Sequence, residues 1–293
     1  MKVLIVSTLI YGLVQGATLM LTALGFSLTF GLSGVANFAH GGLYLLSGFL
    51  AWALVNRLGM PFPLAAAATV LLVALLGAVV YRLVLRPVRG IVLSEVISTF
   101  ALGVVLVEGF RWRGFTTYDF SLPPFWPGEV EIAGVSVDRQ RLVIVGAGFL
   151  LPLALWAFTH HTRVGLALRG MAQDETTALA MGIDSDWAAT LSLSLGAGLA
   201  AVAAVLLLPL GIISINTGYE VLLVALAVTV LGGLESTAGM IVGSLLIGFA
   251  VVITGNFVGP HLSEVVYLGA IVLVLGLKPS GLLGRSKEIE ERV

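Results

Sequence analysis

The sequence contains no cysteine and only three lysines, Lys2, Lys278 and Lys287. The absence of cysteine excludes disulfides, thiolate nucleophiles and cysteine-ligated metals. None of the lysines follows a glycine, so the chain has no P-loop with which to bind ATP. The four histidines are not spaced as metal ligands, and neither H-E-x-x-H nor G-x-S-x-G occurs. We therefore predict a chain with no catalytic residue, no metal site and no cofactor.

Charge is also scarce. Charged residues make up 11% of the chain, whereas soluble domains carry about 25%. Hydrophobic residues make up 58% of the chain, and the mean hydropathy is +1.07. Lipid is therefore the expected main solvent for this surface. The net charge of −1 argues against a nucleic-acid partner, because phosphate backbones attract clusters of lysine and arginine.

Long apolar runs dominate the sequence, and a transmembrane helix needs about 20 mainly apolar residues. We predict a single domain over residues 1–293, an all-α polytopic bundle of eight or nine transmembrane helices. The predicted spans are 6–30, 40–56, 61–84, 91–110, 141–159, 187–211, 219–233, 238–256 and 263–278. For spans 40–56 and 219–233 two interpretations stay open, a full crossing or a short, tilted or re-entrant piece, which gives eight or nine crossings. No internal repeat is evident.

The distribution of arginine and lysine predicts the orientation. Under nine spans, nine positive residues lie on one side, including Arg82, Arg89, Arg163 and the C-terminal tail, and six lie on the other. Because the richer side usually faces the cytoplasm, we place the C-terminus there. The loop 111–141 then becomes the one sizeable outer feature. The N-terminal apolar run continues to about Phe30, so we interpret it as a retained span.

Residues 25–48 carry polar side chains within an apolar region. Ser33, Asn37, His40, Tyr44 and Ser47 follow one another at steps of three or four, which places them on one face if the segment is a continuous helix. A polar stripe must face other helices or a water-filled path. One interpretation is a hydrogen-bonded seam between helices, another is a lining of the translocation path, and a third is a loop without a direct role. The glycines of this segment also favour a broken helix.

The loop 160–186 alternates apolar and polar positions, and its pattern predicts two short amphipathic helices. Gly182 occupies a plausible helix C-cap position. Such helices either rest on lipid headgroups or dock a soluble partner.

Ionisable residues inside the predicted spans are few, since Glu95 and Glu108 lie near the two ends of span 91–110. A pump driven by protons or ions usually buries several such groups. The sequence therefore favours an external source of energy.

Four stretches resemble the signatures of the membrane permeases of branched-chain amino-acid ABC importers of the LivH type. They are GLSGVANFAHG at 31–41, RVGLALRGMAQD at 163–174, VLGGLESTAGMIVG at 230–243 and LKPSGLLG at 277–284. The resemblance covers about residues 8–285. It departs from the family at Glu235, where a small residue is commoner. Residues 176–182 are only a loose version of the Glu-Ala-Ala-xxx-Gly loop of ABC importers, with Glu175 one place early.

The resemblance implies a non-catalytic permease subunit of the cytoplasmic membrane. Its partners would be a second related permease, two cytoplasmic ATPase subunits and an extracytoplasmic solute-binding protein. Its solutes would be branched-chain or other small hydrophobic amino acids, although the wider family also moves urea and short amides. Residues proposed to line or gate the path are Ser33, Asn37, His40, Gly41 and Tyr44. Residues proposed to couple to the ATPase are Arg163, Gly165, Arg169, Gln173, Asp174, Glu175 and Gly182.

Two other classes remain open. A self-sufficient secondary transporter or channel would need no ATPase, and a membrane enzyme would need a catalytic constellation that the sequence does not display.

Overall fold

The computed structural model describes residues 2–113, 120–211, 214–234, 236–259, 263–278 and 280–284. Glu235, the tail from Arg285 onward and part of the loop 111–141 lie outside these residues. The elements are α1 (Lys2–Ser33), α2 (His40–Asn56), α3 (Phe62–Val80), α4 (Val92–Trp112), β1 (Glu129–Ile132), β2 (Val135–Asp138), α5 (Arg139–His161), α6 (Arg163–Gln173), α7 (Glu175–Ala180), α8 (Ser185–Leu207), α9 (Thr217–Gly232), α10 (Thr237–Phe257) and α11 (Ser263–Leu277).

The predicted all-α membrane bundle is confirmed. In the described part of the chain, six helices are long and apolar enough to cross a membrane: α1, α3, α4, α5, α8 and α10, with α3 and α8 extended by short π or 3-10 turns. The helices α2, α9 and α11 are shorter, with 17, 16 and 15 residues. They coincide with the predicted spans 40–56, 219–233 and 263–278.

Small residues set the spacing of the central helix α1 against α10. A Cβ added to Gly16 would meet Leu245, and one added to Gly248 would overlap the backbone of Gly16. At one end of this antiparallel pair, the Asn256 amide donates to the Thr8 hydroxyl at 3.0 Å. Small residues let helix backbones approach closely in lipid, where no hydrophobic force drives helices together.

A β-hairpin marks one end of the bundle, which we call the hairpin end. Its strands β1 and β2 pair antiparallel from Glu129↔Asp138 to Ile132↔Val135. The turn residues Ala133 and Gly134 have φ of 51° and 83°, as a two-residue hairpin turn requires. The Tyr11 hydroxyl of α1 donates to the Ser136 carbonyl at 3.1 Å. The hairpin lies within the predicted loop 111–141. The opposite end, where α6 and α7 lie, is called the α6–α7 end.

The bundle contains two four-helix units of opposite orientation, α1–α4 and α8–α11. In each unit a long helix precedes a short one that begins inside the bundle. α1 packs against α10 as α8 packs against α3, and α2 meets α9 at the centre. The correspondence between the two units is not evident as a sequence repeat, and it is seen only in how the helices pack. Inverted units with broken helices that meet near the middle of the bilayer are typical of transporters.

Candidate translocation and coupling sites

The chain breaks between α1 and α2, so the polar stripe predicted over residues 33–47 does not lie on one continuous helix. Gly34 leaves α1 with a φ of 67°, and the Asn37 side-chain oxygen accepts from the Ala39 N–H at 3.1 Å just before α2 begins. Ser33 ends α1 and bonds the Thr29 carbonyl of its own helix. The break arises because glycine adopts this left-handed backbone without strain and the Asn37 side chain closes a turn onto the Ala39 N–H ahead of the new helix.

The helix α2 begins in the interior of the bundle. The His40 Nε2–H donates to the Thr22 carbonyl of α1 at 3.0 Å. Thr22 lies 11 residues from Tyr11 and 11 from Ser33, which is about 16 Å along the helix in each direction. The chain thus returns from the end of α1 to its middle before α2 starts.

Two helix N-termini meet at this point. A Cβ added to Gly41 would overlap the carbonyl oxygen of Gly218, so the backbones of α2 and α9 touch there. From this contact α2 runs to the hairpin end and α9 to the α6–α7 end. At its far end α9 is closed by the N–H groups of Leu282 and Leu283, which donate to the carbonyls of Leu231 and Gly232.

The residues proposed for the path are enclosed by helices of this chain. Asn37 and His40 are each 1% exposed, and Tyr44 is 3% exposed. Asn37 Nδ2 and His40 Nδ1 have no hydrogen-bond partner in the described part of the chain. Of the stripe residues, only His40 bonds across helices, because Ser33 and Ser47 bond carbonyls of their own helices.

Residues 160–186 form the two short helices that their pattern predicts. The Thr162 hydroxyl caps α6 by accepting from the Gly165 N–H at 3.0 Å. Gly165 packs so tightly that a Cβ there would overlap the carbonyl oxygen of Phe158. Leu168, Met171 and Ala178 form the inner face of the pair. The pair is therefore anchored to the bundle and exposes its other face.

The exposed face includes most of the residues proposed for coupling. Arg163, Gln173, Asp174 and Glu175 are exposed, whereas Gly165 is buried and Arg169 is half-buried. Gly182 is exposed with a φ of 85° just after α7. The apolar residues Leu179 and Met181 are 48% and 79% exposed. Sequence patterning did not select these two for docking, although their place beside Gly182 is visible in the sequence.

Asp174 caps α7. Its carboxylate accepts from the Thr176 hydroxyl at 2.6 Å and from the Thr177 N–H at 3.1 Å. Hydrogen bonds from the hydroxyls of Thr176 and Thr177, and from the Thr177 N–H, lower the pKa of Asp174 to about 2. The carboxylate therefore stays charged at neutral pH and fixes the first turn of α7.

An ionic cluster that the sequence does not reveal joins α7 to the rest of the bundle. Arg89, which follows α3, donates to Glu175 at 3.0 Å and to Asp186 at 3.2 Å. The Tyr81 hydroxyl also donates to Asp186, at 2.7 Å. Arg86 pairs with the other oxygen of Asp186. The partners are separated by up to 105 positions, so spacing alone offers no signal for them.

Comparison with known proteins identifies the family. The model of the family described as branched-chain amino acid transport system / permease component matches residues 8–275. The high-affinity branched-chain amino acid transport system permease protein BraD of Pseudomonas aeruginosa is 32% identical, covering 97% of this chain and 96% of its own. The corresponding protein LivH of Escherichia coli K12 is 30% identical, covering 96% and 95%.

Two more distant matches extend the comparison. A probable branched-chain amino acid transport permease protein, LivH of Methanocaldococcus jannaschii, is 27% identical and covers 79% of this chain and 75% of its own. The solved structure of PsaBC from Streptococcus pneumoniae in complex with Fab has 16% identity and a TM-score of 0.48, covering 92% of this chain and 91% of that one. From the family model and the near-complete overlap with BraD and LivH, the chain belongs to the permease components of branched-chain amino acid transport systems.

Proposed function

We propose that this chain is the permease subunit of an ABC importer in a bacterial or archaeal cytoplasmic membrane. Its solutes are branched-chain or other small hydrophobic amino acids. The observation that carries the proposal is the identity of about 30% with BraD and LivH over nearly the whole of both chains. That overlap includes the broken helix at residues 34–39 and the α6–α7 pair.

In this proposal the α6–α7 end faces the cytoplasm and the hairpin end faces outward. Arg82, Arg86, Arg89, Arg163 and Arg169 lie at the α6–α7 end, and the basic C-terminal tail follows the same end in the sequence. Positive loops favour the cytoplasmic side. The loop 111–141, with its hairpin, then receives the solute-binding protein.

The α6–α7 pair docks an ATPase subunit. Leu179 and Met181 are 48% and 79% exposed, and they lie past the ends of the long, membrane-crossing helices. Exposed apolar residues ringed by polar ones are typical of protein interfaces. The charged face contributes Arg163, Gln173, Asp174 and Glu175. Gly165 acts from within, by packing α6 against the end of α5, and the half-buried Arg169 lies on the inner side of α6. A second related permease and two ATPase subunits complete the assembly.

The gate lies at the break before α2. The residues assigned to the gate are Ser33, Asn37, His40, Gly41 and Tyr44. His40 holds the start of α2 against α1, and Gly41 holds it against α9. ATP binding favours one of two arrangements of the bundle because ATP has different affinities for the two states. Movement of α2 relative to α9 then opens or closes the path between the paired permeases.

The experiment that tests the function is purification of the tagged chain from its native host in a mild detergent, followed by reconstitution. We expect two ATPase chains and a second permease to copurify. Leucine uptake into liposomes should require both ATP and the solute-binding protein. Purified chain that moves leucine by itself, without ATP, would instead establish a secondary carrier or channel.

A further inference from the structure

A cavity of about 550 Å³ lies at the α6–α7 end, among α1, α5, α6 and the beginning of α10. This volume falls within the range of roughly 300–1,000 Å³ that small-molecule sites occupy. All four stretches that carry the family resemblance contribute to its wall, through Gly31, Arg169, Ser236 and Leu283. Segments far apart in the sequence therefore converge on one space.

One wall of the cavity carries hydroxyl groups that form no hydrogen bond with other described residues. Ser27 lines it and is only 5% exposed, yet its hydroxyl forms no hydrogen bond within the described residues. Thr237 lies in the same wall and likewise has no side-chain partner there. Both hydroxyls lie at the cavity surface, so a ligand or water there can supply the hydrogen bond that the described residues do not.

The N-terminus of α10 forms part of the same wall. The Ser236 hydroxyl accepts from the Gly239 N–H at 3.0 Å, and Thr237 and Ala238 line the cavity. The first N–H groups of a helix have no partner within it, and the helix dipole makes this end positive. α10 has 21 residues, so it is long enough to present the full dipole.

The described wall of the cavity carries positive charge. Arg169 of α6 lines it and forms no ion pair with any described residue. None of the described lining residues is aspartate or glutamate. The polar residues Thr159, His160 and Gln173 also line the cavity. Its apolar part includes Leu28, Leu155 and Trp156. This combination suits a ligand with one anionic group and a small apolar body.

We propose that the cavity binds the carboxylate of a small apolar solute and is the last site that the solute occupies before release at the α6–α7 end. Arg169, Ser27 and the N-terminus of α10 hold the carboxylate, and Leu28 and Leu155 contact the apolar body. The proposal rests on the proposed function for the identity of the solute. The described wall offers cationic and hydroxyl groups to a carboxylate and no acidic side chain to an ammonium group, so the carboxylate is the group that this wall recognises.

The absence of cysteine makes a direct test available, since Ser27→Cys introduces the only thiol of the chain. The variant is purified with its partner chains in phosphatidylcholine nanodiscs, and alkylation of this chain by N-ethylmaleimide is followed by intact mass. We expect leucine and 4-methylpentanoate, which lacks the ammonium group, to slow alkylation at least fivefold at saturation. Leucinamide, which lacks the carboxylate, should not slow it. Thr237→Cys serves as a second reporter if Ser27→Cys does not fold.

Adding Arg169→Gln to the reporter should abolish protection, whereas Arg82→Gln should retain it. Arg82 lies at the same end and does not line the cavity, so that control removes the same charge outside the site. The proposal is overturned if leucinamide protects as well as leucine, or if both thiols stay unreactive in folded protein. It is also overturned if only phosphatidylglycerol protects, because a lipid would then be the occupant. Copurification of the ATPases is scored separately, so failure of the proposed function is distinguishable.

Discussion

The guanidinium of Arg89 lies 3.0 Å from the carboxylate of Glu175, and this ion pair ties the first turn of α7 to the end of α3. The other terminal nitrogen of Arg89 donates to the Tyr81 hydroxyl at 3.0 Å, the Ser185 hydroxyl at 3.1 Å and Asp186 at 3.2 Å. One side chain thus joins α7, the end of α3 and the start of α8. A displacement of α7 must move these helices or break this contact.

Replacing Arg89 by alanine should loosen α7 from the bundle. Arg89 is 26% exposed and bonds two carboxylates, and hydrogen bonds to charged groups contribute about 1–2 kcal/mol after allowance for solvent. We expect a roughly five- to thirtyfold increase in cleavage by thermolysin between α7 and α8, where opening is local. Solute-stimulated ATP hydrolysis should fall in parallel.

Arg86→Ala is the matched control for Arg89. The Arg86–Asp186 pair is 62% and 37% exposed, and exposed ion pairs contribute about 0–1 kcal/mol. Cleavage of Arg86→Ala should stay near wild type. Equal cleavage of the two alanine variants would show that Arg89 has no special role.

Gly41→Ala should prevent normal packing of the bundle centre. Its Cβ would overlap a backbone oxygen of Gly218, and a backbone atom cannot rotate away as a side chain does. We expect destabilisation of at least about 1–3 kcal/mol, the usual cost of overpacking, seen as low monodisperse yield and a lower Tm in detergent. Gly146→Ala is the control. No atom lies within 4 Å of a Cβ there, so its Tm should match or exceed that of the wild type.

The carboxylate of Asp174, which caps α7, should become protonated in acid and weaken the cap. The pKa of Asp174 is lowered from 3.8 to about 2, so its stabilisation of α7 is present above pH 3.8 and is lost as the pH falls through about 2. Pepsin cleavage of wild type relative to Asp174→Asn should therefore rise from pH 4 to pH 2, because asparagine caps without titrating. A constant ratio would contradict this role. Asp174→Ala should be cleaved faster than both at every pH.

The orientation can be tested with single cysteines in this cysteine-free chain. Glu131 is exposed in the hairpin, and Met181 is 79% exposed after α7. A membrane-impermeant maleimide should label Glu131→Cys in intact cells and Met181→Cys only after permeabilisation. The reverse pattern would place the α6–α7 end outside.

Local patterns predicted much of the fold. The apolar runs predicted the six long helices because helix length in lipid follows from bilayer thickness. The glycines around residue 34 indicated the break, and the alternation over 160–186 indicated α6 and α7. The prediction that the polar stripe lies on one helical face was wrong, because the chain breaks between Ser33 and His40. Its residues nevertheless belong to the centre of the bundle.

Hydropathy, glycine placement and cap residues act over a few positions, and for that reason membrane residence, helix boundaries and the short amphipathic pair follow from the amino-acid order. Three relationships do not follow from the amino-acid order: the contact of Gly41 with Gly218, the ion pairs of Arg89 with Glu175 and Asp186, and the convergence of Ser27, Arg169 and Thr237 on one cavity. They join segments separated by more than 65 positions. Such contacts depend on how the helices pack, and close packing of small residues rather than any local preference selects that arrangement.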